Sequence, residues 1–298
     1  MLSICIPIYN FNASALIEEL HKQMLACDEK TELIIIDDAS SPKHKEKIRA
    51  AVAPHTYIEL TENIGRAKIR NLFLQYVQYD YLLFLDGDSL IVRPNFINSY
   101  VKYIKQNAAS IVCGGRIYPT TCPSRKQALS WKYGTFKESK NVLERNRNPN
   151  RSFMTNNFLI QKKLLSQIPF NEQLIQYGHE DTLFGYHLSK QHIVINHIDN
   201  HVLNGDVENN EVFINKTEKG IQNLIFICQS LQQDYSFIQN VSLLKTLSFI
   251  KSIHLSLCFR ILFFFLQTPI RKALESGFAP LLLFDFYKLC YIIKIAHD

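Results

Sequence analysis

The sequence predicts an α/β fold in which a mainly parallel sheet is flanked by helices, and three observations lead to it. Short apolar runs alternate with segments of helical periodicity, which is the pattern of βαβ units. The apolar runs are continuous rather than alternating, which indicates strands that are covered on both faces. Apolar residues make up 47% of the 298 residues and charged residues 20%, so the chain can bury a substantial core.

The strands are predicted where β-branched and aromatic residues cluster. Leu2 to Asn10 is a short apolar run, and Thr31 to Ser40 is a β-branched run that ends in acids. The segment YIELTENIG is predicted to be a strand followed by a turn. A further strand lies in Tyr79 to Val92, whose apolar start gives way to Asp86 and Asp88.

The helices between these strands are predicted from apolar residues at helical spacing. Leu16, Ile17, Leu20 and Met24 fall on one face of the segment 13–25, and the segment 66–77 shows the same pattern. A more polar helix is predicted for PKHKEKIRAAV.

The rest of the chain divides into two zones that set the predicted domain boundary. Residues 114–204 include a long polar and basic stretch with prolines, which is unusual in a compact domain unless it is functional or disordered. From about Ser242 the chain is apolar, with single Lys or Arg residues. We predict an α/β domain over residues 1–224 and a helical C-terminal region over residues 225–298.

Polar side chains follow three of the predicted strands. Asn10 ends the first, Asp37 and Asp38 end the second, and Asp86 and Asp88 follow a later one. An isolated pair of acids is often a turn or a helix cap. Because ligands of open α/β sheets bind outside the carboxyl ends of the strands, the repetition favours one shared site.

Asp86 and Asp88 form an Asp-x-Asp pair suited to a divalent cation. Carboxylate oxygens select Mg²⁺ or Mn²⁺, and Mg²⁺ commonly takes one or two carboxylates together with substrate phosphates. A phosphatase of the haloacid dehalogenase class also has Asp-x-Asp after a strand. That class uses its first strand, whereas the pair here follows a later one, so this reading is disfavoured.

Five segments resemble, in order and spacing, those of family 2 glycosyltransferases: ICIPIYN, LIIIDDAS, NIGRAKIRN, YLLFLDGDSL and YGHEDTLFGYHL. The resemblance covers residues 2–224. It implies the GT-A fold, a nucleotide-diphosphosugar-binding α/β domain, in an enzyme of the bacterial surface-polysaccharide type. The donor would be a UDP-sugar and the acceptor a glycan or a lipid-linked saccharide.

The resemblance also implies roles for individual residues. Asp38 would contact the base, usually uracil. Asp88 would bind the metal, Mn²⁺ or Mg²⁺, with Asp86 beside it, and Asp181 would be the general base with Glu180 in support. The implied nucleotide-binding residues are Pro7, Tyr9, Asn10, Asp38, Gly65, Arg70 and Asp86.

The chemistry of glycosyl transfer agrees with these residue types. A metal between the phosphates stabilises the charge on the leaving diphosphate. The attacking hydroxyl must lose a proton to a carboxylate within hydrogen-bond reach, and attack opposite the leaving group inverts the stereocentre. Glu180 and Asp181 could also simply favour the positive end of a helix, and both roles are compatible.

One stretch, NHVLNGDVENNEVFINK, departs from the family pattern. Many relatives have a histidine after the Glu-Asp helix that completes the metal shell, and the matching position here falls near Asn204. His201 lies three residues earlier. His201, Asn204 and water are therefore the alternatives for the third metal ligand.

The C-terminal region mixes basic residues with Leu, Phe and Ile. It has no charge-free run approaching the ~20 residues that a spanning helix needs. The composition predicts amphipathic helices lying in the membrane interface. The alternative is a helical subdomain packed on the rest of the protein or in a dimer.

Charge and cysteine content bear on location and on the competing functions. The net charge is +6 without a recognisable nucleic-acid-binding module, and the seven cysteines form no C-x-x-C pair. We expect a cytoplasmic protein at the cytosolic face of the membrane, with no nucleic-acid partner. The main alternative is a catalytically silent module that binds a sugar nucleotide or a glycan. A sugar nucleotidyltransferase is disfavoured, because PIYNFNAS is not a glycine-rich loop.

Overall fold

The computed structural model of the chain describes residues 1–174 and 176–296. The chain divides into two compact units. The first unit comprises Met1–Tyr118, Glu138–Ile175 and Glu180–Asp206, and the second comprises Pro119–Lys137, Gln176–His179 and Val207–Asp298. The predicted domain boundary at residue 224 falls within a continuous helix, Asn210–Ser230.

The strands of the described chain all belong to the first unit. They are β1 (Leu2–Ile8), β2 (Thr31–Asp37), β3 (Thr56–Glu59), β4 (Tyr81–Leu85), β5 (Ser89–Ile91), β6 (Ile111–Cys113), β7 (Arg116–Ile117), β8 (Asn157–Gln161), β9 (Asn196–His197) and β10 (Val202–Asn204). Seven of them form a sheet in the order β3-β2-β1-β4-β8-β6-β9. β5, β10 and β7 form a separate three-stranded sheet.

The large sheet is mainly parallel, which confirms the predicted fold class. β1 pairs in parallel with both β2 and β4, and β2 pairs in parallel with β3. β8 runs antiparallel between β4 and β6. In this register Ile8 lies opposite Asp37, so the ends of β1 and β2 reach the same edge of the sheet.

The helices are α1 (Ser14–Leu25), α2 (Pro42–Val52), α3 (Arg66–Leu72), α4 (Phe96–Asn107), α5 (Ala128–Tyr133), α6 (Val142–Arg147), α7 (Lys162–Gln167), α8 (Glu180–Lys190), α9 (Asn210–Ser230), α10 (Tyr235–Asn240), α11 (Ser242–Ser252), α12 (Ser256–Glu275) and α13 (Leu281–Ile295). Short 3₁₀ turns occur at Phe73–Gln75 and Arg125–Gln127, and a π turn at Gly134–Glu138.

Apolar cores cover both faces of the large sheet. Alternate residues of a strand point to opposite faces, so Leu83 enters one core and Phe84 the other. Leu16 and Ile17 of α1 pack in the first core, whereas Ile69 of α3 packs in the second. The strands are continuously apolar because both faces of the sheet are buried, as the sequence indicates.

The polar stretch after Arg116 is more ordered than its composition suggests. It contains α5 and α6 instead of one long loop. α6 begins with a capping box, in which the Asn141 side chain accepts a hydrogen bond from Glu144 N and the Glu144 side chain accepts one from Asn141 N. These reciprocal bonds satisfy backbone groups that the helix itself leaves unpaired, so a short polar segment can form a helix.

The second unit is helical, and the buried side chain of Asn210 links several of its segments. This side chain is 1% exposed and donates to the carbonyl oxygens of Arg125 and Glu275, at 3.1 and 3.0 Å. Its Oδ1 accepts from Leu129 N at 2.8 Å. A single amide therefore ties the start of α9 to α5 and to the end of α12.

The C-terminal helices expose a large apolar surface. Leu257, Ile261, Phe264 and Phe265 of α12 have exposed fractions of 66%, 53%, 80% and 70%. No described helix is by itself long and apolar enough to cross a membrane. The bent pair α11 and α12, with 116° between them, meets the length and composition criteria when taken together.

Candidate active site

The strand-end acids lie together at the carboxyl edge of the large sheet. Asp86 follows β4, and its N–H donates to the carbonyl of Asn156 at 3.1 Å. Asp38 follows β2, and its N–H donates to the carbonyl of Ile8 at 2.8 Å. These bonds extend the sheet by one residue beyond β4 and β2, which holds both carboxylates at the same edge.

Asp86 is held by two arginines from α3. Arg70 Nη2 donates to Oδ1 at 2.9 Å and Arg66 Nη2 donates to Oδ2 at 3.1 Å. Arg70 is 1% exposed, and its guanidinium lies over the Phe170 ring at 5.8 Å. Burial alone would raise the pKa of Asp86, but the charges of Arg66, Arg70 and Arg116 hold that pKa below its ordinary value.

Asp88 pairs with an arginine of the smaller sheet. Arg116, the first residue of β7, places Nη2 2.6 Å from Asp88 Oδ2. The other carboxylate oxygen, Oδ1, is buried and has no hydrogen-bond partner among the described residues. A buried carboxylate oxygen without a donor is costly unless a ligand completes it, so this atom fits a hard cation.

Among the described residues, neither a histidine nor a third acid joins this pair. In residues 1–174 and 176–296, no group of three or more His, Cys, Asp or Glu side chains could hold a metal ion. Asn204 lies opposite Ser89 in the pairing of β10 with β5, and Gly205 N donates to the carbonyl of Asp88 at 2.8 Å. Asn204 is therefore placed beside the Asp88 backbone.

His201 lies at the other end of β10. Its Nδ1 is 3.1 Å from Asp199 Oδ1, and Asp199 in turn accepts from Arg93 at 2.6 Å. Three residues of strand separate His201 from Asn204, which corresponds to roughly 10 Å. The structure brings Asn204 close to Asp88 and places His201 with Asp199 instead.

Glu180 and Asp181 begin α8. Glu180 is 8% exposed and accepts from Arg66 Nε at 2.6 Å. Asp181 Oδ1 accepts from the backbone N–H of Thr182 at 2.7 Å. The structure thus brings Glu180 to the same arginine that contacts Asp86, with Asp181 next to it in the chain.

The pKa values of the two adjacent carboxyl groups are shifted in opposite directions. Burial would raise the pKa of Glu180, but Arg66 and Arg70 reverse this and lower it below the ordinary value. Burial, followed by the negative charge of Glu180, raises the pKa of Asp181 to about 7. Carboxyl groups whose environments drive their pKa values apart are typical of acid–base sites.

Arg66 and Arg116 are the functional candidates that the sequence analysis missed. Arg66 could have been found, because it stands four residues before Arg70 and so shares one face of a helix with it. Arg70 Nη1 indeed donates to the Arg66 carbonyl at 3.0 Å. For Arg116 the sequence offers no signal beyond its place at the start of a basic stretch.

Asp38 and Gly65 form one turn. Ile64 N and Gly65 N donate to the Asp38 carboxylate at 2.7 and 3.1 Å. Asp38 is 5% exposed, and its burial raises its pKa despite these two bonds. Gly65 has φ of +85°, a conformation that glycine adopts without strain, and α3 begins at the next residue.

Pro7, Tyr9 and Asn10 lie at the end of β1. Asn10 Oδ1 accepts from Ser41 N at 2.8 Å, and Asn10 N donates to Ser40 Oγ at 2.7 Å. Pro7 is part of β1 itself, whereas the Tyr9 side chain is 55% exposed. Asn10 thus fixes the loop after β2, and Tyr9 is accessible at the edge where the acids lie.

A comparison with protein families and with individual sequences finds several relatives. The family model "Glycosyl transferase family 2" matches residues 3–171. An uncharacterized glycosyltransferase of Bacillus subtilis, YfnE, is 27% identical over 210 residues, which is 65% of this chain and 51% of that protein. Escherichia coli chondroitin synthase is 26% identical over 227 residues, 64% of this chain and 32% of the synthase. The chain thus spans about half of YfnE and about a third of the synthase.

Solved structures share the fold at low sequence identity. Mannosyl-3-phosphoglycerate synthase from Rubrobacter xylanophilus superposes with a TM-score of 0.56 at 12% identity, over 78% of this chain and 75% of that one. Mannosyltransferase PcManGT from Pyrobaculum calidifontis, solved with GDP-Man and Mn²⁺, gives 0.53 at 17% identity, over 76% and 64%. At these identities the likeness establishes the fold.

Proposed function

Because the chain belongs to glycosyl transferase family 2 and has the GT-A fold, we propose that it is a metal-dependent, inverting enzyme that uses a nucleotide-diphosphosugar. Family membership favours an enzyme over a silent binding module. The observation that carries the proposed mechanism is the pair Glu180 and Asp181, whose pKa values are driven apart beside the Asp86 carboxylate.

Asp181 is proposed as the general base. A pKa of about 7 leaves a large fraction ionised at neutral pH while keeping the carboxylate basic enough to accept a hydroxyl proton. Glu180 stays ionised through its contact with Arg66 and would contact the acceptor or orient the base. These two acids lie beyond the residues matched by the family model, so the assignment rests on their geometry and titration.

Asp88 Oδ1 and Asp86 would hold the divalent cation together with the donor phosphates. The cation, Mn²⁺ or Mg²⁺, would supply charge stabilisation for the departing diphosphate. Asn204 is preferred over His201 as a further contact, because its strand position adjoins Asp88. Water is the alternative, and Mg²⁺ in particular keeps several waters in its shell.

The nucleotide would lie along the edge formed by Tyr9, Asn10 and Asp38, with its phosphates towards Arg66, Arg70 and Arg116. Guanidinium groups match phosphate oxygens in geometry and charge. UDP is the proposed nucleotide. Support comes from glucosyl-3-phosphoglycerate synthase of Mycobacterium tuberculosis, solved with Mn²⁺ and UDP, which shares the fold with a TM-score of 0.51 at 17% identity.

The proposed acceptor is a glycan or a lipid-linked saccharide met at the cytosolic face of the membrane. The exposed apolar side chains of α12 support peripheral membrane contact, because a surface of this kind is costly in water.

The test is nucleotide release from a panel of UDP-sugars, with GDP-mannose as the competing base. Wild type, Asp181→Asn and the exposed control Asp28→Asn are compared with Mn²⁺, with Mg²⁺ and with EDTA. We expect metal-dependent hydrolysis of one donor that is lost in Asp181→Asn and kept in Asp28→Asn. Nucleotide release that persists in Asp181→Asn would rule out Asp181 as the base. Release that persists in EDTA would rule out the requirement for a metal.

A further inference from the structure

Arg66 spans the two halves of the proposed site. Its Nη2 donates to Asp86 Oδ2 at 3.1 Å, on the donor side, and its Nε donates to Glu180 Oε1 at 2.6 Å, on the acceptor side. The two carboxylates come from elements far apart in the chain, the end of β4 and the start of α8. One guanidinium therefore couples the group beside the phosphates to the group beside the base.

Arg66 is also the most exposed of the three arginines. Its side chain is 42% exposed, against 1% for Arg70 and 11% for Arg116. Arg70 is packed against Phe170, and Arg116 lies over the Tyr118 ring at 5.5 Å. A change of partner thus costs Arg66 less packing than it would cost the other two.

The charges of the site give Arg66 a reason to change partner. Three guanidinium groups pair with three carboxylates, those of Asp86, Asp88 and Glu180. A bound diphosphate adds negative charge on the Asp86 side. The exposed guanidinium would then gain more from the phosphate than from Glu180, since phosphate offers several strong acceptor oxygens.

We propose that Arg66 is a positioning residue that exchanges Glu180 for the donor diphosphate, so that donor binding releases Glu180 beside the base. The inference rests on the proposed function in one respect, that the diphosphate binds at the Asp86 edge. Until the donor is bound, Glu180 is held towards Arg66. Glu180 is therefore available to an acceptor hydroxyl, or to water, only when the donor is bound.

This exchange makes an unusual prediction for binding. Glu180 competes with the diphosphate for Arg66, so Glu180→Gln should tighten UDP binding, although Glu180 lies on the acceptor side. A partly exposed ion pair is worth up to about 1 kcal/mol, so the gain should be about fivefold. If Glu180 merely repelled the phosphate at a distance, the gain would persist without Arg66.

A double-mutant cycle separates the two cases. Binding of UDP with Mn²⁺, and of GDP with Mn²⁺, is measured by calorimetry for wild type, Glu180→Gln, Arg66→Gln and the double variant. We expect Arg66→Gln to weaken binding about tenfold and to abolish the gain from Glu180→Gln. Lys68→Gln, which removes an exposed charge from the same helix, is the matched control and should leave the gain intact.

The possible outcomes separate the proposed exchange of Arg66 from the proposed donor site. An equal gain from Glu180→Gln with and without Arg66 overturns the exchange while leaving the donor site in place. Failure of both nucleotides to bind wild type overturns the donor site and the exchange together. If thermal unfolding shows that Arg66→Gln is destabilised, the cycle is repeated with Arg66→Met, which keeps the apolar stem and is judged by the same criterion.

Discussion

Arg116 Nη2 lies 2.6 Å from Asp88 Oδ2, and the two side chains are only 11% and 27% exposed. The pair fixes a positive charge beside the carboxylate that we propose as a metal ligand. Removing one member leaves the other partly buried and uncompensated, which is more costly than losing a surface pair. The stability of the protein should therefore depend on this contact as well as its activity.

We expect Arg116→Gln to lower the free energy of unfolding by about 2–3 kcal/mol, measured by urea denaturation. The matched control is Arg93→Gln, which breaks the pair with Asp199, whose side chain is 66% exposed. That variant should lose less than about 1 kcal/mol. Equal losses in the two variants would show that the Arg116 pair is no more than a surface contact.

The rate of transfer should rise with pH through the titration of Asp181. Its pKa is raised to about 7 by burial and by Glu180, and only the ionised form accepts a proton. A plot of kcat/KM against pH should therefore increase about tenfold per unit below pH 7 and level off above it. A rate that stays flat from pH 5 to pH 8 would be inconsistent with Asp181 as the base.

The same group should make stability depend on pH in the opposite sense. A carboxyl group whose pKa is raised by folding stabilises the folded state fully at pH values below its pKa in the unfolded chain. This stabilisation is lost as the pH rises through the folded-state pKa of about 7. Asp181→Asn removes the charge, so above pH 7 it should be more stable than wild type by about 4 kcal/mol. Thermal melts at pH 4 should nearly coincide, and a constant difference at both pH values would contradict the assignment.

The third metal contact can be tested by exchanging residues of β10. We expect Asn204→Asp to tighten Mn²⁺ binding several-fold in the presence of UDP, because a carboxylate oxygen suits Mn²⁺ and this position adjoins Asp88. His201→Ala should leave Mn²⁺ affinity unchanged, since His201 is held by Asp199. Calorimetry or electron paramagnetic resonance of Mn²⁺ would measure both. A clear loss in His201→Ala would restore His201 as the ligand.

Membrane contact should depend on the exposed phenylalanines of α12. Phe264→Ser with Phe265→Ser removes two side chains that are 80% and 70% exposed, so the fold should be little affected. We expect the double variant to lose most of its binding to anionic liposomes in a flotation assay, while the wild type binds. Phe136→Ser, at another exposed aromatic residue, is the control. Liposome binding that is unchanged in the double variant would rule out this surface.

The sheet and the edge that carries the acids could be predicted, because both follow from local patterns. The β-branched run before Asp37 and the apolar run before Asp86 mark strands whose ends must meet in a parallel sheet. The partners of those acids could not be predicted. Arg66 and Glu180 are 114 residues apart, and no short-range pattern specifies which of 33 basic residues approaches a given carboxylate. Helix α6 was missed because a capping box, and not apolar spacing, marks its start.

The turn joined by Asp38 has a consequence for how a donor is chosen. The carboxylate proposed to recognise the base also accepts the N–H groups of Ile64 and Gly65, directly before the helix that carries Arg66 and Arg70. A base that fits poorly against Asp38 would strain this turn and displace the arginines that hold the phosphates. We therefore expect discrimination between uracil and other bases to appear in kcat as well as in KM, since binding energy far from the reacting carbon would be used to align it.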